Sequence, residues 1–547
     1  TLLASSAASD VYKRQDERCY VWLWCGVEVD GEGRSTGGDI DSMIESLSNL
    51  EPQTRVLYHN LKFDGSYIIN WLLENRYIHT MSRNLQKGEF RTLINEDRIL
   101  YEIKVRFRNG RMITIWDSYK ILPNSVSDLA QALNLEEGKL SIDHTVVRKP
   151  GSATEEEIKY CFRDCEIVSK GIKMAREDGL IKMTIGSSSM NKYKRLIGGE
   201  PTFRALFPAL EYDADSYLRK AYRGGYVLVH PDRKNAEVGQ GIVLDYNSMF
   251  PWAMRYNPMP YGRPEHHIGR PKDGMWVARL HIGHAKLKAR HIPCIQIKHS
   301  RWNDTEYLEE LEDAQIFLTN IDWDLITEQY DLWDVSWYDY YQFRSAVGMF
   351  DEYIDRLYKI KCESNGAIRY LTKIELNSFY GKFGTNPVQV SLEPCQEDGG
   401  LSFKKCQERI TEGVYCPVAI YTTAYARQRI IREGQRHYDR LNYIDTDSLH
   451  LIGVSTDGLD IDAKRLGALK LESTFVRAKY LRPKCYVEDD GEHLIVKCAG
   501  MPENVKKSIT FDQFRPGASF PGKLMRKEMP GGAALIETTF TILDDRD

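Results

Sequence analysis

No apolar run in the chain approaches the roughly 20 residues that a membrane span needs, so no membrane partner is expected. There is no C-x-x-C pair, which argues against structural zinc. The eleven cysteines are scattered and odd in number, as for reduced thiols in a cytosol-like compartment. Cys161 and Cys165 lie at helical spacing and read as buried thiols rather than ligands. Internal repeats and long low-complexity linkers are absent. The opening "TLLASSAASDVYKRQ" lacks the charged start and apolar centre of a signal peptide and any helix or strand periodicity. It reads as a non-native tail over residues 1–15, with the recognisable protein starting near Asp16. At 547 residues, the rest is too long for one core and predicts three or more structural units.

A large net charge is also missing, but the total of −4 hides a division. From Asn303 to Asp355 there are fifteen acidic residues and one basic residue, Arg344. That segment's −14 leaves +10 on the remainder. A basic body able to hold a polyanion thus carries an acidic, aromatic insert suited to protein contact or internal packing.

Three segments of the second half carry chemistry. In "GIVLDYNSMFP", Asp245 ends an apolar strand. "LNYIDTDSLHLIG" reads as a β-hairpin, with Asp445 and Asp447 spaced to face one side of a strand. Two carboxylates held that close repel unless a cation sits between them. Between these segments lies "YKIKCESNGAIRYLTKIELNSFYGKFG", where Lys361, Arg369, Lys373, Asn377 and Tyr380 fall near helical repeats and share a face. Residues 356–382 hold six basic and two acidic side chains. Taken singly, a D-x-D is usually a turn and a basic helix face is usually solvated. Together, strand-borne aspartates suit Mg²⁺, a hard cation that takes carboxylate and phosphate oxygens. The basic face suits a triphosphate, and the combination describes phosphoryl or nucleotidyl transfer.

"DYNSMFP", "KIELNSFYGKFG" and "YIDTDS" resemble the palm and fingers motifs of family B DNA polymerases, in particular the protein-primed subgroup of phages with terminal-protein-capped linear genomes. "AYRGGY", "KCY" and "VKCAGM" follow that subgroup's order, and the resemblance covers nearly the whole chain from about residue 16. It implies that Asp245, Asp445 and Asp447, with the Tyr246 carbonyl, hold two Mg²⁺ ions, for which Mn²⁺ can substitute. Lys361, Arg369 and Lys373 would bind the triphosphate, with Arg369 where the family usually has lysine. Tyr380 would line the base-pair pocket beside Phe250, which stands where the family usually has Tyr. Tyr222, Gly224, Gly225, Lys484 and Tyr486 would contact DNA, and Thr423 and Arg427 the template or the priming protein.

The first half resembles the family's 3′–5′ exonuclease. "YHNLKFDGSYIINWL" matches its second motif, with Asn60 and Phe63 as single-strand contacts and Asp64 as metal ligand. "YCFRD" matches its third, with Tyr160 and Asp164 one helical turn apart. Ser118 and Lys139 fall at accessory strand-binding and catalytic positions, and Tyr119 departs from the usual Leu. Two more metal ions are implied at an intact exonuclease site. The first motif, a D-x-E pair, is not found. Asp10 has the right spacing, but Tyr12 stands where Glu is needed, and Asp30 and Glu32 come too late, in a turn. The expectation is a truncated, exonuclease-defective chain whose first strand and motif are missing.

The implied architecture is multidomain α/β and α+β: an RNase-H-like exonuclease domain (16–185), then a right-hand polymerase. Its parts would be palm (186–252 and 414–497), a first insertion (253–350), fingers (351–385), a second insertion (386–413) and thumb (498–547). The implied function is DNA-directed DNA polymerisation in replication of a linear phage or mobile-element genome. Partners would be template-primer DNA, dNTPs, a terminal-protein primer and a single-strand-binding protein, with the enzyme a monomer in the cytoplasm of a bacterial host. The alternatives are a nuclease and a non-catalytic binder of nucleic acid or terminal protein.

Overall fold

The structure is a computed structural model. It describes residues 18–135, 138–140, 142, 148–296, 307–397 and 400–543, and the backbone of 2–8. The amino-terminal half is built on an eight-stranded mixed sheet. Its order is Arg34–Gly37, Val21–Glu28, Leu2–Ala8, Arg55–Tyr58, Met112–Asp117, Leu100–Arg106, Glu89–Ile94 and Ile78–His79. "VWLWCGV" and "VLY" are apolar throughout because helices cover both faces. Ile40–Asn49 and Leu61–Glu74 enclose one core, and Glu155–Glu177 encloses the other.

Here one expectation is corrected. The first strand is not missing: Leu2–Ala8 fills the slot between Val21–Glu28, antiparallel, and Arg55–Tyr58, parallel. The slot presents two rows of backbone donors and acceptors, which a segment without proline can satisfy whatever its side chains. Low strand propensity was therefore a poor guide to this segment. The expected motif is still not there, because "LLASSAA" contains no acidic residue. Asp10 and Tyr12 lie outside the described residues.

A five-stranded antiparallel sheet occupies the segments expected as palm, in the order Leu469–Phe475, Gly241–Tyr246, Ser448–Ile452, Leu441–Asp445, Val227–Val229. The helices Met249–Tyr256 and Pro417–Arg436 pack against it. A neighbouring four-stranded sheet holds Arg477–Arg482, Cys485–Asp489 and Leu494–Cys498 beside Glu237–Val238. The segment expected as fingers is two helices, Asp351–Glu363 and Gly366–Phe383. The chain reverses between them through Gly366, whose φ of 55° favours glycine.

The described residues of the expected first insertion, which holds most of the acidic segment, fold as a four-stranded sheet of Met259–Ile268, Tyr330–Ala346, Met275–Leu287 and Glu310–Thr319 with the helix Asn320–Gln329. Trp276, Ile316, Leu318 and Tyr330 are its buried anchors. Much of its charge is answered by arginines, as in Arg279–Asp339 and Arg427–Asp322, both at 2.7 Å. The carboxy-terminal hairpin, Ser519–Met529 with Gly532–Thr541, reaches back to the first half. There the Tyr67 hydroxyl donates to the Ala533 carbonyl at 2.6 Å. Gly400, from the second insertion, bridges to Pro530 of the same hairpin.

Candidate active site

Asp245 and Asp445 end two strands that flank Ser448–Ile452, and both pair in register with Ser448. This register sets the two carboxylates on one face of the sheet, on either side of Ser448. Asp447 is placed differently from the sequence expectation. Asp445 and Asp447 do not alternate along one strand, because Thr446, at φ 60°, turns the chain between them. Asp447 therefore sits in the turn itself. Its carbonyl accepts from the Tyr246 N–H at 2.8 Å, and the Thr446 N–H donates to the Tyr226 carbonyl at 2.7 Å.

A β-branched residue in the left-handed region is strained, and the turn needs outside support. Gly225 of "AYRGGY" supplies it, since a Cβ there would lie 2.7 Å from the Thr446 side chain. The Arg427 guanidinium latches the same segment by donating to the Arg223 and Gly224 carbonyls at 3.0 and 3.1 Å.

Burial, with Asp245 next and then Asp445, pushes the Asp447 carboxyl up to about 7. Asp245 and Asp445 are thus close enough to Asp447 to disfavour its charge. Among the described residues no three His, Cys, Asp or Glu side chains form a ready-made metal cage. Instead, lysines answer two of the charges. Lys470 Nζ is 2.9 Å from Asp245 Oδ2, and Lys484 pairs with Asp445. A repelling trio of hard oxygen donors held by cationic stand-ins fits divalent cations. Lys470 was not singled out from the sequence. Its signal is tertiary, since it pairs with Asp245 across the adjoining strand.

The helix Gly366–Phe383 carries Arg369, Lys373 and Tyr380 as their periodicity predicted, but Lys361 belongs to the preceding helix. The reversal at Ser364–Gly366 returns Lys361 to the same cluster, where its ammonium donates to Ser248 Oγ at 2.8 Å. Burial first, then Lys373 and Lys470, push its pKa down to about 8. Lys361, Lys373 and Lys470 thus concentrate positive charge at one place. Phe250 lies against Tyr380, ring centroids 4.2 Å apart, so two aromatic rings wall the space beside the patch. Tyr486 packs among Tyr443, Tyr480 and His450, while Lys484 is half-exposed at the turn before it.

Two expected DNA contacts are corrected. Thr423 and Arg427 are buried. The Thr423 hydroxyl donates to the Ala419 and Ile420 carbonyls, and Arg427 donates to Asp322 Oδ1 at 2.7 Å. Burial alone would raise the Asp322 carboxyl, and the Arg427 guanidinium more than offsets this and holds it below its ordinary value. The reason is that Pro417–Arg436 is sheathed by core on most of its faces, which a short polar motif does not reveal. Ser118 is likewise buried, donating to the Tyr58 carbonyl at 3.0 Å.

In the first half, Asp64 opens the helix after Arg55–Tyr58, and Tyr160 and Asp164 share a face of Glu155–Glu177. Lys139 joins them, with Nζ 3.6 Å from Asp164 Oδ2 and over the Tyr160 ring at 5.8 Å. Against a lowering contact with Cys161, burial raises the Cys165 thiol, and Cys25, Asp164 and then Asp64 add to the rise. Asn60, in the left-handed conformation, is fixed by its N–H donating to Asp117 Oδ1 at 2.9 Å, and Phe63 stands edge-on to Tyr67. His59 was not foreseen. It lies between Ser118 Oγ and the Asn124 carbonyl at 3.1 and 2.7 Å.

Asp30 and Glu32 cannot complete this cluster. They follow Glu28, which pairs with Leu2 at the edge where the parallel strands begin. Asp64 lies past the opposite edge, and Arg176 holds Asp30.

A family model described as DNA polymerase type B, organellar and viral, matches residues 48–154 and 147–464. The DNA polymerase of Bacillus phage phi29 is 36% identical over 563 residues, covering 96% of each chain. That of Streptococcus phage Cp-1 is 33% identical over 562 residues, again covering 96% of each. Among solved structures, phi29 DNA polymerase complexed with primer-template DNA and incoming nucleotide substrates matches with a TM-score of 0.91 at 34% identity. The match covers 99% of this chain and 100% of that one. The phi29 enzyme complexed with single-stranded DNA matches with a TM-score of 0.91 at 33% identity, with the same coverage of each chain.

Proposed function

Because the chain belongs to the type B DNA polymerases and is a DNA polymerase of the phi29 kind, we propose that Asp245, Asp445 and Asp447 form its nucleotidyl-transfer centre. The observation that carries this reading is the convergence of Asp245 and Asp445, in register on either side of Ser448, with Asp447 in the adjoining turn, where burial first and then its two neighbours lift the Asp447 carboxyl to about 7. It marks a site built for added positive charge.

Two Mg²⁺ ions held by these carboxylates and the Tyr246 carbonyl would supply activation of the primer 3′-hydroxyl and neutralisation of the pyrophosphate leaving group. The chain's own residues do the rest. Lys361, Arg369 and Lys373 gather the triphosphate by charge, and Arg369 can also grip it as a planar fork. Phe250 and Tyr380 bound the sugar and base, and bulk at Phe250 leaves no room for a ribose 2′-hydroxyl. Lys470 and Lys484, which pair with Asp245 and Asp445, would have to release these carboxylates for them to hold the ions. Lys484 and Tyr486 then steady the primer strand, and Tyr222 lies against the fingers at Gly384. A groove of about 520 Å³ lined by Asn95, Ser187, Ser378, Asn386 and Ser391 suits a template strand. Priming from a terminal-protein hydroxyl and action in a bacterial host, with a single-strand-binding protein, follow from likeness to the phage enzymes.

The exonuclease is proposed to be defective. Asp64, Asp164, Tyr160 and Lys139 are assembled, but no acidic residue on Leu2–Ala8 joins them. Hydrolysis by the same two-ion chemistry needs that further pair.

Extension of a DNA hairpin primer with Mg²⁺ and dNTPs tests the polymerase reading. Extension abolished by chelation and by Asp447→Ala is expected. A folded protein whose extension survives Asp447→Ala would overturn it.

A further inference from the structure

Behind the three aspartates lies a buried polar network that the reaction as described does not use. Glu488, in Cys485–Asp489 of the adjoining sheet, is 3% exposed, and His450, in the palm strand, is 1% exposed. Glu488 Oε1 lies 2.6 Å from His450 Nδ1 and accepts from the Tyr480 hydroxyl at 2.8 Å. His450 Nε2 lies 3.2 Å from Ser448 Oγ, which lies 3.3 Å from the Asp445 carbonyl. With Nδ1 held by Glu488, Nε2 faces Ser448 Oγ and fixes where that hydroxyl lies beside the Asp445 carbonyl.

A second strand of the same network starts from the Lys484 N–H, which donates to the Tyr443 hydroxyl at 2.8 Å; that hydroxyl in turn donates to Asp445 Oδ2 at 3.1 Å. The Tyr443 and Tyr480 rings stack at 5.3 Å, and His450 stands edge-on to both. Asp445 is therefore held twice, at its carbonyl and at its carboxylate.

A buried carboxylate and imidazole are expensive to desolvate, and packed apolar residues would stabilise this site as well or better. Geometry is what the pair offers in return. We propose that Glu488 and His450 are positioning residues for the polymerase centre, holding Asp445 and the Thr446–Asp447 turn in the orientation that receives a divalent cation. The pair touches neither substrate nor metal and acts through Ser448. The inference rests on the reading of Asp445 as a metal ligand.

The test follows Mn²⁺ binding to the protein on a primer-template with a non-extendable end, by electron paramagnetic resonance, together with single-turnover kcat, dNTP KM and thermal stability. Glu488→Gln and His450→Gln are expected to weaken Mn²⁺ binding by about tenfold, the size of effect that outer partners of metal ligands produce. The apparent kcat should fall in step, with KM for dNTP unchanged. Val487→Ala, a cavity in the same strand, should lower thermal stability and leave Mn²⁺ affinity alone. If Glu488→Gln or, should that variant not fold, His450→Gln loses stability while keeping parental Mn²⁺ affinity and kcat, the pair is structural only and the proposal is wrong. Asp445→Asn separates the underlying reading. Parental Mn²⁺ binding in that variant would refute Asp445 as a ligand, whatever Glu488 does.

Discussion

Gly225 and Thr446 touch so closely that a single Cβ on Gly225 would lie 2.7 Å from both Thr446 Cγ2 and Oγ1. The contact ties "AYRGGY" to the turn that carries Asp447. Gly225→Ala should push that turn out of place, at an overpacking cost of about 1–3 kcal/mol. Single-nucleotide incorporation should fall by about tenfold or more, since small misplacements at a reacting centre are costly. Adding Thr446→Ser, which removes the methyl, should restore part of the rate. A double variant no better than the single one would show that the contact is not the cause.

Lys361 makes the triphosphate site sensitive to pH. Its pKa is pushed down to about 8 by burial, Lys373 and Lys470, so it is charged below that pH and neutral above. The value of kcat/KM for dNTP should therefore fall as pH rises through about 8. Lys361→Met should remove that limb and leave a lower, flatter profile. A parental profile flat from pH 7 to 9, or one whose limb survives in Lys361→Met, would contradict the assignment.

The metal-free protein should also report on Asp447. Its carboxyl titrates near 7 in the fold against an ordinary 3.8. The folded state then holds a proton that the unfolded state releases, so this group's stabilisation is lost as pH rises from about 4 toward 7 and stays lost above. In chelator, the parent should lose thermal stability across that window by more than Asp447→Asn does. Mg²⁺ at pH 7.5 should restore stability to the parent only, because it binds the ionised form. Parallel curves for the two proteins would rule out a raised Asp447.

For the first half, no Mg²⁺-dependent 3′–5′ shortening of single-stranded DNA is expected, and Asp64→Ala should change nothing. Shortening that Asp64→Ala removes would mean that the missing carboxylates are supplied from elsewhere.

How much was legible in the sequence depended on range. Arg369, Lys373 and Tyr380 were placed by helical period alone, and Asp245 by the end of an apolar strand. Lys361 needed the reversal at Gly366, which hands the basic face from one helix to the next. Lys470 needed a strand register more than 200 residues away in sequence. Arg427 misled because an arginine in a polar-looking run is usually exposed, whereas Asp322 of the acidic insert neutralises it in the interior. The opening segment misled in the opposite way. Its small residues carry no strand signal, yet the backbone of Leu2–Ala8 completes the sheet.

The most direct test of the central claim is rapid-quench incorporation of one dNTP by Asp245→Asn, Asp445→Asn and Asp447→Asn beside the parent, with primer-template affinity measured on the same proteins. The account predicts that all three bind DNA as the parent does and transfer the nucleotide on the order of 10³-fold more slowly, a loss of about 4 kcal/mol of transition-state stabilisation. Transfer within tenfold of the parent in Asp245→Asn or Asp447→Asn would contradict it.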